Sequence, residues 1–162
     1  DTSGCIVLAL KRPILRILNK ELREGRVEKK YLAVVKGQWL HKEKLITLNL
    51  KKNQLRSGAR EVIVRPDGKE SITRFKRLKG NKSLSLLECK LITGRTHQIR
   101  VHTSHEGHPV IGDKKYGDSD TNNLYRKKGI KRMLLHAISI NFPAINLSCS
   151  AKEPDIFTEI IN

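Results

Sequence analysis

Two apolar patterns open the chain. Residues 5–10 form an almost continuous apolar run, which predicts a strand buried on both faces of a sheet. Directly afterwards, Pro13 fits the first turn of a helix, where its missing N–H costs nothing. Apolar residues then recur at helical spacing as far as Gly25. We therefore predict an amphipathic helix over residues 13–24, with Gly25 closing its C-terminal end.

The middle of the chain is rich in residues that favour strands, and much of it alternates apolar with polar positions. Strands are predicted over residues 29–39, 44–50, 61–64, 70–78 and 83–91. Between the third and fourth of these strands, Pro66-Asp67-Gly68 predicts a turn. The proline sets one dihedral angle of that turn and the glycine is expected to supply a positive one.

The last third of the chain has a weaker pattern. A helix fits residues 96–105 and a short strand fits 109–111, whereas the polar stretch 117–129 is interpreted as a loop. Two strands are predicted over 133–142 and 145–150, and Asp155 is expected to cap a final helix over 155–161. Strands and helices thus occur in blocks rather than in strict βαβ alternation. This predicts an α+β fold with a mixed, largely antiparallel sheet and a few flanking helices, as one domain over residues 1–162.

The charge of the chain points to its partner. Lys and Arg number 33 against 16 Asp and Glu, which gives a formal net charge of +17. Such a surplus repels itself in a compact chain, and binding a polyanion relieves the repulsion and releases counterions. Nucleic acid is therefore the predicted partner. No apolar run of about 18 residues and no signal peptide occurs, so we expect no association with a membrane.

Cysteines and histidines were considered as metal ligands. The three cysteines are odd in number and lack metal-ligand spacing, so reduced, buried thiols in a cytoplasmic protein are the simplest interpretation. Residues 95–108 hold four histidines, three of which are spaced three apart. Arg95 and Arg100 would oppose a cation there, so we expect no metal site and histidines that are structural or contact RNA. These histidines are His97, His102, His105 and His108.

Two further residues leave alternatives open. Tyr31 follows two lysines, and such a tyrosine can stack on a base while the lysines hold phosphate. A half-buried strand tyrosine is equally consistent with the sequence. Asp113 lies in a turn-like segment, and capping of that turn is the favoured interpretation.

Five segments, in order, resemble the RluA-type pseudouridine synthases. They are Asp-Thr-Ser-Gly-Cys at 1–5, Lys-Lys-Tyr-Leu-Ala-Val-Val-Lys-Gly at 29–37, Gly-Arg-Thr-His-Gln-Ile-Arg-Val-His at 94–102, Gly-His-Pro-Val-Ile-Gly-Asp at 107–113 and Leu-Leu-His-Ala at 134–137. The third is the most specific. The segments 15–24 and 35–39 further favour the members of this family that modify large-subunit ribosomal RNA.

The resemblance implies a reaction. In this family uracil is detached from C1′ of the ribose, rotated and rejoined through C5, without a cofactor. The uridine must leave its stack, and an Asp carboxylate starts the reaction. The family places two residues between this Asp and Thr-Ser-Gly, whereas Asp1 directly precedes Thr2. We therefore expect the catalytic Asp to lie upstream of residue 1, and the chain, truncated on its N-terminal side, to be inactive by itself.

The resemblance also implies roles for individual residues. Tyr31 matches the tyrosine that covers the face of the uracil, and Arg100 matches the arginine that pairs with the catalytic Asp and keeps it ionised. One leucine of the pair 134–135 matches the apolar wall of the base pocket. The remaining candidates for contact with the base or the RNA are Lys30, Arg95, His97, Gln98, Leu134 and Leu135.

The expected function is isomerisation of specific uridines to pseudouridine in 23S ribosomal RNA, by a cytoplasmic monomer. Members of the family often carry an additional N-terminal RNA-binding domain. Three alternatives stay open at this point: the same chemistry on transfer RNA, an RNA-binding module without catalysis, and a metal-dependent RNA hydrolase that uses the histidine cluster.

Overall fold

A computed structural model describes residues 1–54 and 60–162. Within these residues, eight strands and four α-helices are formed, together with a short 3₁₀ turn at Pro143–Ile145. In chain order they are β1 (Ser3–Gly4), α1 (Arg12–Arg23), β2 (Glu28–Lys36), β3 (Glu43–Gln54), β4 (Arg60–Val64), β5 (Lys69–Gly80), β6 (Leu84–Leu91), α2 (Gln98–His105), α3 (Ser119–Lys127), β7 (Leu135–Phe142), β8 (Leu147–Ser150) and α4 (Ile156–Glu159).

All eight strands belong to one sheet. Its order is β1-β7-β2-β6-β5-β3-β4, and β8 pairs with β7. Each of these pairs is antiparallel except β1 with β7, which run parallel. The predicted mixed, largely antiparallel sheet with a few helices is therefore confirmed.

Both faces of the sheet are covered at its centre. In β2, Ala33 and Val35 pack into a cluster on the face where α2 contributes Ile99. The intervening Leu32 and Val34 pack into a second cluster, to which α3 and α4 contribute side chains. This alternation is the period of a strand, and it sorts every residue of β2 onto the α2 face or the α3 face. The two faces decide which candidate residues can meet.

The predicted N-terminal strand is wrong. Residues 5–10 form no strand, and Ile6, Leu8 and Leu10 are 77%, 76% and 96% exposed. Only the intervening Val7 and Ala9 pack, against the cluster at the foot of α1. An apolar run signals burial but not how many faces have a neighbour, and only one face has one among the described residues.

The predicted loop over 117–129 is also wrong, because α3 occupies most of it. Asp118 caps this helix by accepting a hydrogen bond from the backbone N–H of Thr121 at 2.7 Å. The helix exposes its polar residues and buries Tyr125. The polar composition that suggested a loop belongs to the solvent side of a surface helix. Asp155, by contrast, makes no capping hydrogen bond to α4.

Other local predictions are confirmed with changes. The helix α1 spans Arg12–Arg23 with Pro13 in its first turn, and Gly25 follows it at φ 70°. Residues 66–68 form a turn closed by the Gly68 N–H on the Arg65 carbonyl oxygen at 2.9 Å. Gly68 does not have a positive φ. Glycine is required there because a Cβ atom would lie 2.7 Å from the Leu50 carbonyl carbon.

Three smaller findings complete the comparison with the sequence. The predicted strand at 109–111 reduces to a single bridge between Val110 and Val35. Of the three cysteines, Cys89 is buried, Cys5 is partly buried and Cys149 is exposed, so the expectation of buried thiols fails for Cys149. None of the helices in the described ranges has the length and apolar character needed to span a bilayer.

Candidate active site

A small cleft of about 160 Å³ lies on the α2 face of the sheet. It is lined by Thr2, Tyr31, Leu91, Arg95, His97, Gln98, Ile99, Arg100 and Leu135. Six of the eight candidate residues named from the sequence thus meet in one place. The cleft is smaller than the roughly 300–1,000 Å³ of pockets for drug-sized ligands, so it suits a small ligand group.

The other two candidates lie outside the cleft lining. Leu134 packs into the cluster on the α3 face, whereas its neighbour Leu135 packs on the α2 face and lines the cleft. Lys30 precedes Tyr31 in β2, so strand alternation directs it to the face opposite the cleft. Of the two leucines considered as a wall for the base, the geometry favours Leu135.

Tyr31 stands at the centre of the α2 face. It pairs with Cys89 of β6 and Ala137 of β7, and its ring packs against the buried cluster there. Its hydroxyl makes no hydrogen bond to a described residue. Burial, and to a lesser degree Cys5, raises the pKa of Tyr31 above its ordinary value. The phenol is therefore protonated at neutral pH, with a free donor and a ring face available to a ligand.

Arg100 is clamped by a buried carboxylate. Its Nε and Nη2 donate to the two carboxylate oxygens of Asp113, both at 2.7 Å, which is a bidentate pair. Asp113 is 1% exposed and also accepts the backbone N–H groups of Lys115 and Tyr116. The predicted turn capping by Asp113 is thus confirmed, and the ion pair with Arg100 is new. The clamp fixes the guanidinium plane and leaves Nη1 without a hydrogen bond in the described structure.

The pKa of Asp113 is the result of opposing effects of burial and hydrogen bonding. Burial alone would raise this pKa, but the hydrogen bonds from Arg100 and from the Tyr116 and Lys115 backbones outweigh burial. The pKa therefore lies below its ordinary value, and the carboxylate stays ionised at neutral pH.

Tyr116 joins Arg100 to His97 and was missed by the sequence analysis. Its ring lies under Arg100, with Cζ 4.9 Å from the ring centroid. Its hydroxyl accepts the Val62 N–H at 2.9 Å and stands 2.8 Å from Nδ1 of His97. Having accepted from Val62, the hydroxyl is free to donate its proton to Nδ1. The only signal in the sequence was the scarcity of aromatics, which are 4% of the chain.

His97 is held in an unusual backbone conformation. Its φ is 54°, in the left-handed region, at the position just before α2. This region costs an L-residue about 1–2 kcal/mol, so the surroundings must hold it there. Burial, followed by the positive charges of Arg100 and Lys115, lowers the pKa of His97. The ring is accordingly neutral at pH 7.

Gln98 shapes the cleft from beneath. Its Oε1 accepts from the Thr93 hydroxyl and the Arg95 N–H, and its Nε2 donates to the Ile72 carbonyl and the Thr73 hydroxyl. The residue is 2% exposed. Because both ends of its amide are occupied, Gln98 fixes the loop that presents Arg95 rather than offering free donors to a ligand.

The chain is similar in sequence to known proteins over most of its length. The family model described as RNA pseudouridylate synthase matches residues 1–105. The chain belongs to this family. The resemblance read from its five segments is thereby confirmed.

Its relatives include two bacterial enzymes named ribosomal large subunit pseudouridine synthase C. The protein of Haemophilus influenzae is 47% identical over 142 residues, which are 88% of this chain and 44% of that protein. The protein of Escherichia coli is 44% identical over 144 residues, which are 88% of this chain and 45% of that protein. The chain therefore spans less than half the length of the curated relatives that it matches.

Two solved human structures share the fold. RNA Pseudouridylate Synthase Domain Containing 1 superimposes with a TM-score of 0.77 at 26% identity, covering all of this chain and 72% of that one. RNA Pseudouridylate Synthase Domain Containing 4 gives a TM-score of 0.73 over 94% of this chain and 68% of that one. At 23% identity, the second likeness concerns the fold alone.

Arg95 stands where the cleft of this family member meets two wider grooves. It donates from Nε to the Glu70 carbonyl oxygen at 2.9 Å and lines all three concavities. One groove, of about 450 Å³, runs past the lysines of β3 and β5, which are Lys51, Lys52 and Lys69. The other, of about 710 Å³, runs past Arg23 and Lys29. Burial lowers the pKa of Lys29. Cations thus border both sides of the cleft.

The histidines of α2 do not converge. In residues 1–54 and 60–162, no group of three or more His, Cys, Asp or Glu side chains is placed to hold a metal ion. His102 turns inward to the hydroxyl of Ser71. His108 bonds the Lys36 carbonyl oxygen through Nδ1 and packs on Trp39. The expectation of structural histidines holds for these two.

His102 is a fully buried neutral ring. Ser71 donates its single hydroxyl proton to the Leu48 carbonyl oxygen, so it accepts from Nε2 of His102 at 2.7 Å. This fixes the tautomer and leaves Nδ1 buried without a partner among the described atoms. A second proton would place a buried charge on Nδ1. Burial, and then His105, accordingly lowers the pKa of His102 to about 4.

This histidine makes stability depend on pH. The unfolded side chain titrates near 6.5 and the folded one near 4, so the unfolded state binds more protons between these values. As pH falls through this window, the free energy of unfolding should drop by up to about 3 kcal/mol because of His102. Urea unfolding from pH 7 to pH 4.5 measures the drop, and His102→Gln should flatten it. His41→Gln, at an exposed histidine, is the control; equal pH profiles for both variants would contradict the assignment.

Proposed function

We propose that this chain is the catalytic domain of an enzyme that isomerises uridine to pseudouridine in large-subunit ribosomal RNA. The observation that carries the proposal is the meeting of Tyr31, Arg100 and Leu135 in one small cleft. Membership of the synthase family and the identity to synthase C of two bacteria support it. No cofactor is part of the proposal.

The proposed reaction starts with a uridine that has left its stack and entered the cleft. The bond between N1 and C1′ breaks, the detached uracil rotates, and C5 bonds to C1′ before the C5 proton leaves. Tyr31 covers one face of the ring, and Leu135 closes the apolar side. These two side chains support a planar base during rotation without binding its polar edge in one orientation.

Arg100 is proposed to stabilise negative charge near the ribose. Two of its donors are committed to Asp113, so the guanidinium is held in place before a ligand arrives, and Nη1 is left for a carboxylate or a ribose oxygen. A donor fixed in advance costs no reorganisation during the reaction. In this scheme Asp113 is a positioning residue that acts through Arg100.

Neither carboxylate near the cleft is proposed to start the reaction. Asp1 directly precedes Thr2, which is not the family spacing, and Asp113 is saturated by Arg100 and two backbone N–H groups. We propose that neither Asp1 nor Asp113 supplies the carboxylate that attacks or stabilises the ribose.

RNA flanking the flipped uridine is proposed to lie in the two grooves that meet at Arg95. Cations line both grooves, and a net charge of +17 favours the backbone of a polyanion. The backbone positions the RNA, while the cleft selects the base. This arrangement supports an RNA substrate over a free nucleoside.

Tritium release tests the proposed reaction. The protein should be expressed from the longest reading frame that contains this chain and incubated with ribosomal RNA labelled with tritium at C5 of uridine. Isomerisation removes the C5 hydrogen, so we expect release that reaches a plateau at a whole number of sites per RNA. Release should continue in the presence of a chelator.

Three other outcomes would contradict the proposal in different ways. Binding of ribosomal RNA without release of tritium would indicate an RNA-binding module that does not isomerise uridine. Release from transfer RNA but not from ribosomal RNA would keep the chemistry and replace the substrate. Loss of activity with the chelator would instead point to a metal-dependent enzyme.

A further inference from the structure

A separate concavity of about 380 Å³ lies beside α3. We call it the α3 pocket, and it is lined by Gly112, Lys114, Asn122, Asn123, Arg126, Ile130 and Lys131. It shares no lining residue with the cleft or with the two grooves that meet at Arg95. Its lining residue Ile130 belongs to the cluster on the α3 face of the sheet. It therefore forms no part of the site described above.

Three cations border the α3 pocket without a counter-charge. Lys114, Arg126 and Lys131 are exposed, and none of them forms an ion pair with a residue in the described ranges. No carboxylate lines the pocket. Asp118, at the start of the same helix, is paired with Lys36 at 3.2 Å. Three positive charges around one concavity repel each other, and an anion between them removes the repulsion.

The floor of the α3 pocket is fixed by hydrogen bonds. The Gly112 N–H donates to Oδ1 of Asn122, and Nδ2 of Asn122 donates to the Asp113 carbonyl oxygen, both at 2.8 Å. Gly112 has φ 79°, and a Cβ atom there would lie 2.2 Å from the Arg132 carbonyl oxygen. This close approach pins the backbone that carries Lys114. A backbone that is fixed in advance loses little entropy when a ligand binds.

Helical spacing places Arg126, one of the three cations, on the same side of α3 as Asn122. Asn122 and Arg126 are four residues apart, so they lie on the same side of α3. The guanidinium of Arg126 can therefore approach a ligand that rests on the Asn122 side of the helix. Arg matches the geometry of phosphate with two parallel hydrogen bonds, and Lys adds a point charge.

We propose that the α3 pocket binds a phosphate group, supplied either by an RNA backbone outside the cleft or by a free nucleotide. The volume exceeds that of a bare anion and falls in the range of pockets that hold a small ligand, so a sugar can enter with its phosphate. The RNA source rests on the proposed function, whereas the free nucleotide does not.

Phosphate at the α3 pocket would also be connected to the cleft. Asp113 lies between Gly112 and Lys114, and its side chain holds Arg100 while its carbonyl oxygen binds Asn122. A ligand on Lys114 therefore bears on the same short loop that positions Arg100. RNA bound in the α3 pocket would therefore influence the position of Arg100 in the cleft.

Salt dependence of RNA binding tests the site. The pocket variant carries Lys114→Gln, Arg126→Gln and Lys131→Gln. The control variant carries Lys42→Gln, Lys76→Gln and Lys82→Gln, at exposed lysines outside the concavities described above. Both lose three charges. For a single-stranded segment, each lost phosphate contact reduces the slope of log K against log salt by about 0.7. Because the three cations hold one phosphate, we expect a reduction of about 0.7 for the pocket variant and no comparable reduction for the control.

The source of the phosphate is tested by nuclear magnetic resonance. The Gly112 amide and the Asn122 side-chain amide are followed while inorganic phosphate, uridine monophosphate or a ribosomal RNA fragment is added. Shifts with RNA alone assign the backbone as the source. Saturable shifts with either small anion assign a free ligand. Wild-type spectra for the rest of the pocket variant confirm that it folds.

The proposal fails if no ligand shifts these amides and the two variants have equal salt slopes. Its failure is distinct from failure of the proposed function. Tritium release by the unsubstituted protein, combined with equal slopes and no amide shift with any ligand, would remove the α3 pocket alone. Shifts at Gly112 without any tritium release would keep the pocket and remove the isomerase.

Discussion

Replacing Asp113 with alanine is expected to lower the free energy of unfolding by about 3 kcal/mol or more. The substitution leaves the Arg100 guanidinium without its bidentate partner in a site where that side chain is only 17% exposed. It also leaves two backbone N–H groups, of Lys115 and Tyr116, without their acceptor. Removing one partner of a buried pair is costly because the other charge stays behind. Urea unfolding at pH 7 measures the loss.

Asp67 provides a matched control. It also lies in a turn and pairs with Lys51 and Arg65, but its side chain is 49% exposed. Exposed ion pairs contribute about 0–1 kcal/mol, so Asp67→Ala should lower the free energy of unfolding by no more than about 1 kcal/mol. If the two alanine variants lose the same amount, the clamp on Arg100 is not a stabilising interaction.

The pairing of Asp113 with Arg100 also predicts how the free energy of unfolding changes at acid pH. Because the folded pKa of Asp113 is lowered, its contribution is fully present above the unfolded pKa of about 3.9 and is lost as pH falls through the folded value. Asp113→Asn keeps the shape of the side chain but not its charge, so this variant should lose that part of the acid dependence.

Replacing Tyr31 with phenylalanine is expected to lower kcat by about 100-fold while changing KM little, in the protein expressed from the longest reading frame that contains this chain. Phenylalanine keeps the ring that we propose packs on the uracil, and it removes the protonated hydroxyl, which has no hydrogen bond to a described residue. A positioned proton donor or acceptor contributes about 10²–10⁴-fold to rate. Tyr31→Ala should raise KM as well, because it removes the stacking face.

Tyr125 serves as the comparison. It is 7% exposed, lies on the α3 face and, like Tyr31, has a pKa raised by burial. Tyr125→Phe should therefore release tritium at the rate of the unsubstituted protein. A Tyr31→Phe variant that is equally active would restrict Tyr31 to packing and stacking.

Local rules predicted the elements whose neighbours did not need to be known. The helix α1 follows from Pro13, the apolar spacing and Gly25, and the strands of the central sheet follow from their alternation. The family resemblance gathered six cleft residues, because motif positions fix relative placement without any knowledge of packing.

Features that depend on distant contacts escaped prediction. Whether the run 5–10 is covered on one face or two depends on what stands beside it, and α3 is recognised only through the cap formed by Asp118 and Thr121. The pairing of Arg100 with Asp113 joins residues thirteen positions apart across a loop. The sequence singled out Arg100 and Asp113 separately, but it did not show that their side chains meet.

The exposed side chains of Ile6, Leu8 and Leu10 bear on whether copies of the chain associate in concentrated solution. These exposed apolar side chains are close together in sequence, which favours contact between copies of the chain. The net charge of +17 opposes such contact at low ionic strength. At about 0.15 M salt the screening length shrinks to about 8 Å, and the repulsion between copies is largely screened beyond that distance. The charge that we propose to attract RNA therefore also opposes self-association, and we expect added salt to weaken both effects.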